Sequence, residues 1–174
     1  MRKEYSKVLR DTFTKLMKAD LPQFKPAKVK SQYLWPGERA FLWMPKESVH
    51  IYVVLSPSLK GNDEFSVDIG WSLLGRFPEV ARGVGMPADD GSEFDKEEFT
   101  CRITSLYSTE DEFWKFYDEQ LLVDDPVQLM LSQAQPITKE QAEEEVIPKV
   151  QDAIDKLVKH GIPYLNKFIE KQVH

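Results

Sequence analysis

Between two stretches with helical apolar spacing, the chain carries Val49-His50-Ile51-Tyr52-Val53-Val54-Leu55, a nearly continuous run of β-forming residues. Such a run reads as a central strand, because a strand covered on both sides has no polar alternation to show. Downstream, Phe65, Val67, Ile69 and Trp71 alternate with Ser66, Asp68, Gly70 and Ser72, a period of two with one face buried. Phe99, Cys101 and Ile103 alternate in the same way with Thr100, Arg102 and Thr104. Upstream, Val29 to Trp35 is rich in β-branched and aromatic residues, and Ala40 to Met44 follows the turn signal Pro36-Gly37-Glu38-Arg39. Successive strands with short connections predict an antiparallel meander.

The ends change period. Tyr5, Val8, Leu9, Phe13, Leu16 and Met17 fall on one helical stripe, which Pro22 and Pro26 terminate. Near the other end Thr138-Lys-Glu-Gln141 is a capping box, followed by Val146, Val150, Ala153, Ile154, Leu157 and Val158 at helical spacing. Pro148 predicts a kink or break in that helix, and Gly161-Ile162-Pro163 a second break before Tyr164, Leu165, Phe168 and Ile169. Val127 to Leu131 predicts one short helix. Residues 108–119 combine a helix-capping pattern with the strand-forming Phe113-Trp114-Lys115-Phe116-Tyr117, and propensity leaves both open. The expected fold class is α+β: one domain over 1–174, mainly an antiparallel sheet of five to six strands. It is flanked by an N-terminal helix and a long broken C-terminal helix.

Charge divides this domain unevenly. Residues 1–60 hold 12 Lys/Arg and 5 Asp/Glu, residues 61–145 hold 6 and 21, and residues 146–174 hold 5 and 3, giving +7, −15 and +2. The overall net charge of −6 argues against nucleic acid as a partner, and the acidic middle argues for a basic protein. The densest acids, Asp89, Asp90, Glu93, Asp95, Glu97 and Glu98, lie in a glycine-punctuated loop at 75–98. Glu143-Glu144-Glu145 stands near a helix start, where negative charge complements the macrodipole.

Catalytic and metal chemistry find little support. His50, His160 and His174 are far apart and no metal-ligand spacing occurs, so no metal and no cofactor is expected. The lone Cys101 cannot make an internal disulfide and reads as a small buried hydrophobe, which fits a reducing compartment. The charged start lacks the apolar run of a signal peptide, and no stretch is long and apolar enough for a membrane span, so the cytoplasm is the expected location. No nucleophile elbow, phosphate loop or dinucleotide fingerprint is present, and no catalytic residue is assigned.

Four pieces of the chain together resemble a bacterial family known as domain of unknown function 4304. They are the basic N-terminal amphipathic helix, the run Phe41 to Ser56 with Asp63 to Gly70, the segment Cys101 to Leu106 with Trp114 following, and Gly161 to Phe168. The resemblance implies a sheet flanked by N- and C-terminal helices, favours strand at 113–117, and implies no catalytic residues. The acidic loop 83–98 and segment 118–136 depart from the family as insertions.

The function expected from these features is a non-catalytic cytoplasmic protein-binding module, an immunity-type or regulatory protein that masks a basic partner. Its expected contacts are Asp89, Asp90, Glu93 and Asp95. The alternative is an enzyme or small-ligand-binding protein with a pocket between sheet and helices, formed by His50, Tyr52, Asp68 and Arg102.

Overall fold

The computed structural model describes residues 1–58, 61–81, 85–110, 113–117 and 124–172. Gly83, His174 and parts of the two expected insertions lie outside the described residues. Helix α1 spans Lys3–Asp20. Five strands follow: β1 Lys25–Ala27, β2 Arg39–Lys46, β3 Val49–Pro57, β4 Glu64–Ser72 and β5 Glu98–Arg102. They form an antiparallel sheet in sequence order, and the short β6, Trp114–Lys115, pairs with β4 at Glu64 and Phe65. Helix α2 is Pro126–Ala134 and α3 is Lys139–Lys156; a π-helical turn at Leu157–Gly161 leads into α4, Ile162–Lys171. The α+β class, the N-terminal helix and the long C-terminal helix agree with the sequence reading.

Helices α1, α3 and α4 cover one face of the sheet. Leu9, Phe13 and Met17 of α1, and Val146, Val150 and Ile154 of α3, share a core with Ile51, Val53, Val67, Ile69 and Trp71. This is the hydrophobic effect operating on two matched stripes, one of period 3.6 and one of period two. Both reciprocal bonds of the capping box at Thr138 and Gln141 are made, fixing where α3 begins.

Several expectations need correction. Residues 29–35 form no strand; the pairing with β2 is made by Lys25–Ala27 instead, in register from Lys25 opposite Leu42 to Ala27 opposite Ala40. The apolar residues Val29, Tyr33 and Leu34 fold back over the second face of the sheet, where they pack with Ala40, Tyr52, Val54 and Phe77. β4 is also buried at all nine positions and not on one face only. Ile103 leaves the strand for a short 3₁₀ helix, Ile103–Leu106.

The C-terminal helices also continue where breaks were expected. Pro148 lies on the exposed side of α3, where water can serve the carbonyl that lost its donor, and the helix runs through it. At Gly161 the chain widens into the π turn, with Ile162 N bonded to Leu157 O. A wider turn relieves the clash that the Pro163 ring would make with the preceding turn. A Cβ on Gly161 would lie 2.7 Å from Leu157 Cδ1 and 3.8 Å from Ile69 Cδ1, so glycine lets the helix sit close to β4.

Cys101 is fully buried between these layers, and burial pushes its thiol from 9.0 up to about 12. The phenols of Tyr5 and Tyr164 are raised above their usual 10.0, first by burial and then by their bonds to Glu145 and Glu93. In each case the folded chain keeps a proton that the unfolded chain releases. Stability is therefore expected to fall as pH rises from the unfolded value of about 9 toward 12. Urea midpoints measured between about pH 8 and about pH 11 test this, since a flat profile would contradict it. The native thiol should also resist alkylation until the chain is denatured.

Candidate functional site

The face opposite the helices carries polar side chains at alternate positions of three neighbouring strands. Register places Ser56 opposite Ser66, Val54 opposite Asp68 and Tyr52 opposite Gly70 across β3 and β4, then Asp68 opposite Arg102 across β4 and β5. A cavity of about 730 Å³ opens over the Ser56, Ser66, Asp68 and Arg102 end of this array. Tyr33, Trp35 and Phe113 form aromatic walls, and Glu38 enters from the connection before β2.

The cavity's polar groups are held by each other and by the main chain. Glu38 Oε2 accepts from Trp35 N at 2.5 Å, which closes the 35–38 turn. Ser56 Oγ lies 2.9 Å from Glu38 Oε1 and 3.2 Å from Asp68 Oδ2. Its one hydrogen can serve only one carboxylate at a time, and ionised carboxylates accept but do not donate. That wall is therefore rich in acceptors. Glu64 takes bonds from Ser58 Oγ, Asn62 Nδ2 and Tyr117 Oη at 3.0, 3.2 and 2.7 Å, which fixes the floor. Arg102 Nε stands 3.7 Å from Asp68 Oδ1, and its guanidinium lies 4.2 Å from the centre of the Phe113 ring. A guanidinium on an aromatic face is attracted by the ring quadrupole. The site thus combines flat apolar walls, carboxylate acceptors and one fixed cation.

Of the four pocket residues expected from sequence, Asp68 and Arg102 line this cavity and are paired. Tyr52 and His50 stand on the same sheet face but further along it. Tyr52 is buried against Phe77, with ring centres 5.0 Å apart, and its hydroxyl is 3.5 Å from His50 Nδ1. The expected location between sheet and helices is also corrected, because that layer is filled core and the cavity is on the other side. Glu38, Ser56, Glu64 and Phe113 were missed. The polar alternation of β4 and the polar Ser56-Pro57-Ser58 end of β3 were the available signals.

The acidic loop has a different character from the one expected. Glu93 is 1% exposed; it accepts from Tyr164 Oη at 2.6 Å and from Ala88 N at 3.2 Å. Its carboxylate fastens the loop to α4, which removes it from any outward acidic face. Asp90 accepts from Ser92 N at 3.0 Å, and that bond, with a further one from the Ser92 side chain, holds its carboxyl below the usual carboxylate range. Asp95 pairs with Lys171 at 2.7 Å, while Asp89 is exposed. Of the last acidic run, Glu145 accepts from the Tyr5 hydroxyl and Glu143 pairs with Lys139 at 3.1 Å.

Among the described residues, no group of three or more His, Cys, Asp or Glu side chains could hold a metal ion. No described helix is long and apolar enough to cross a membrane. Comparison of the chain with protein-family models, with curated proteins and with solved structures finds no match.

Proposed function

We propose that this protein binds a small polar ligand with a flat ring in the cavity on the sheet face opposite its helices. The observation that carries the reading is convergence. Glu38, Asp68 and Arg102 come from three separate segments and meet at a cavity of about 730 Å³ with aromatic walls. Ligand sites commonly have a volume of roughly 300–1,000 Å³ and a few placed polar groups among apolar ones. Hydrogen-bond donors on the ligand would meet Glu38 and Asp68, while its ring would rest against Phe113 or Trp35.

A protein-observed NMR titration against small neutral ring compounds tests the proposal. Saturable shifts are expected at Glu38, Ser56, Asp68 and Phe113. Phe113→Ala and Glu38→Gln should each weaken binding about tenfold, equivalent to roughly 1.4 kcal/mol. Absence of saturable shifts, or shifts confined to other surfaces, would refute it.

A basic protein partner is a second reading, supported by the exposure of Asp89, Asp90 and Asp95. Capture on the immobilised protein should then be weakened by salt and by changing these three to asparagine. Capture that survives the triple substitution rules this surface out. We further propose kinship with domain of unknown function 4304 and a cytoplasmic location. The order helix, sheet, helix supports the first, and a single buried cysteine supports the second.

A further inference from the structure

The outward face of α1 carries a line of cations. Positions 3, 7, 10, 14 and 18 recur every three or four residues, so they stack along one side of the helix. They are Lys3, Lys7, Arg10, Thr14 and Lys18, opposite the buried Tyr5, Leu9, Phe13 and Met17. The three lysines are exposed and Arg10 partly so. Among the described residues, none of the four charged side chains has an ion-pair or hydrogen-bond partner. Glu4 and Asp11 lie to one side of the line and leave it uniformly positive.

The helix gains little from this arrangement. Lys3 faces Lys7, and Lys7 faces Arg10, at the spacings where like charges oppose helix formation. Lys3 also stands in the first turn, against the positive end of the macrodipole, and only Lys18 in the last turn complements it. A local rule broken without structural return points to a role outside the fold.

We propose that this line docks an acidic, extended segment of another protein. Charge complementarity sets the sign of the partner, and spacing sets its form. Lys3 and Lys7 are about 6 Å apart along the axis, and the whole line is about 22 Å long. Alternate side chains on one face of an extended chain are about 6.6 Å apart, so carboxylates at alternate positions fall within reach of the flexible cationic side chains. α1 exposes no large apolar side chain for insertion into a bilayer. Its aromatics, Tyr5 and Phe13, are buried, which leaves nothing for bases to stack on. The net charge of −6 further disfavours a long polyanion.

The test is an NMR titration at low ionic strength with a peptide of about eight residues alternating glutamate and serine, long enough to span the line. Saturable shifts are expected along Lys3, Lys7, Arg10 and Lys18, and added salt should abolish them. Lys7→Glu with Lys18→Glu should weaken binding at least about tenfold. Lys159→Glu with Lys167→Glu changes the net charge equally on the C-terminal helical turns and should weaken it less than about twofold. All four substituted lysines are exposed, so both variants keep the fold. No saturable shift, or equal losses in the two variants, would overturn the site. Tighter binding at these residues by oligouridine or by phosphatidylserine vesicles would also overturn it, giving the surface to another class of partner. The cavity plays no part in this result, so the ring-ligand reading stands or falls separately.

Discussion

Trp71→Ala is expected to destabilise the fold by about 3–5 kcal/mol, the range for deleting a large buried aromatic side chain. Trp71 is fully buried in β4 and stacks on Phe168 of α4 with ring centres 4.1 Å apart and planes at 15°. It also stacks on Phe99 at 4.8 Å and leans on Phe94 and Tyr164 at 5.7 and 6.1 Å. Its indole N–H donates to Lys96 O at 3.0 Å. One side chain therefore joins sheet, C-terminal helix and acidic loop. Truncation leaves a cavity bounded by rigid rings that cannot easily collapse, which places the cost toward the upper end. For a chain of this size the melting temperature should fall by roughly 10 °C or more. Urea denaturation should show a lower midpoint at similar slope, and a loss under about 1 kcal/mol would contradict the role assigned to this residue. Exchange of the Phe94 and Lys96 amides should rise more than that of β3, because the loop loses an anchor while the central strand does not.

The second large effect is expected at Asp63, 61 residues from its partner. Asp63 is 1% exposed, and both its carboxylate oxygens are engaged by Arg2, through the main-chain N at 2.7 Å and Nε at 2.7 Å. Around this pair, the Met1 amino group donates to Gly61 O at 2.5 Å, and the Arg2 guanidinium lies 4.5 Å from the Tyr5 ring centre. Arg2→Ala should cost about 3–5 kcal/mol, because it leaves a buried carboxylate without its counter-charge. Asp63→Leu combined with Arg2→Met removes both charges and should recover most of that loss. A double-mutant cycle by urea denaturation checks the coupling, and additive losses would show that the pair does not act as a unit.

Legibility differed between the two faces of the sheet for a physical reason. The helix side was readable because Phe13, Val150 and Ile69 belong to local periodic patterns, and each pattern declares its buried face. The second face depends on a long connection folding over it. Nothing in Val29 to Trp35 says locally whether those apolar residues pair as a strand or lie as a cover. The same blindness hid the cavity: Asp68 and Arg102 were visible as polar members of strands, but Glu38 reaches them only through the path of that connection. Glu93 shows the converse. In sequence it is one acid among six, and only the approach of Tyr164, 71 residues later, draws it inward. Tyr52 was grouped correctly by face but not by depth, since Phe77 closes that part of the sheet.

The two outermost strands bear on how this chain meets others. On one rim β1 offers three residues, of which Lys25 carries a charge and Pro26 has no amide hydrogen to give. On the opposite rim the Gly85 backbone already occupies the flank of β5. Short, charged, proline-bearing or covered rims are poor templates for an incoming strand. Edge-to-edge addition of a strand is thus disfavoured at β1 and at the Cys101 position of β5. These rims offer little to main-chain pairing, which accepts any extended peptide, and the proposed binding relies on side chains and a cavity, where chemical identity can be discriminated.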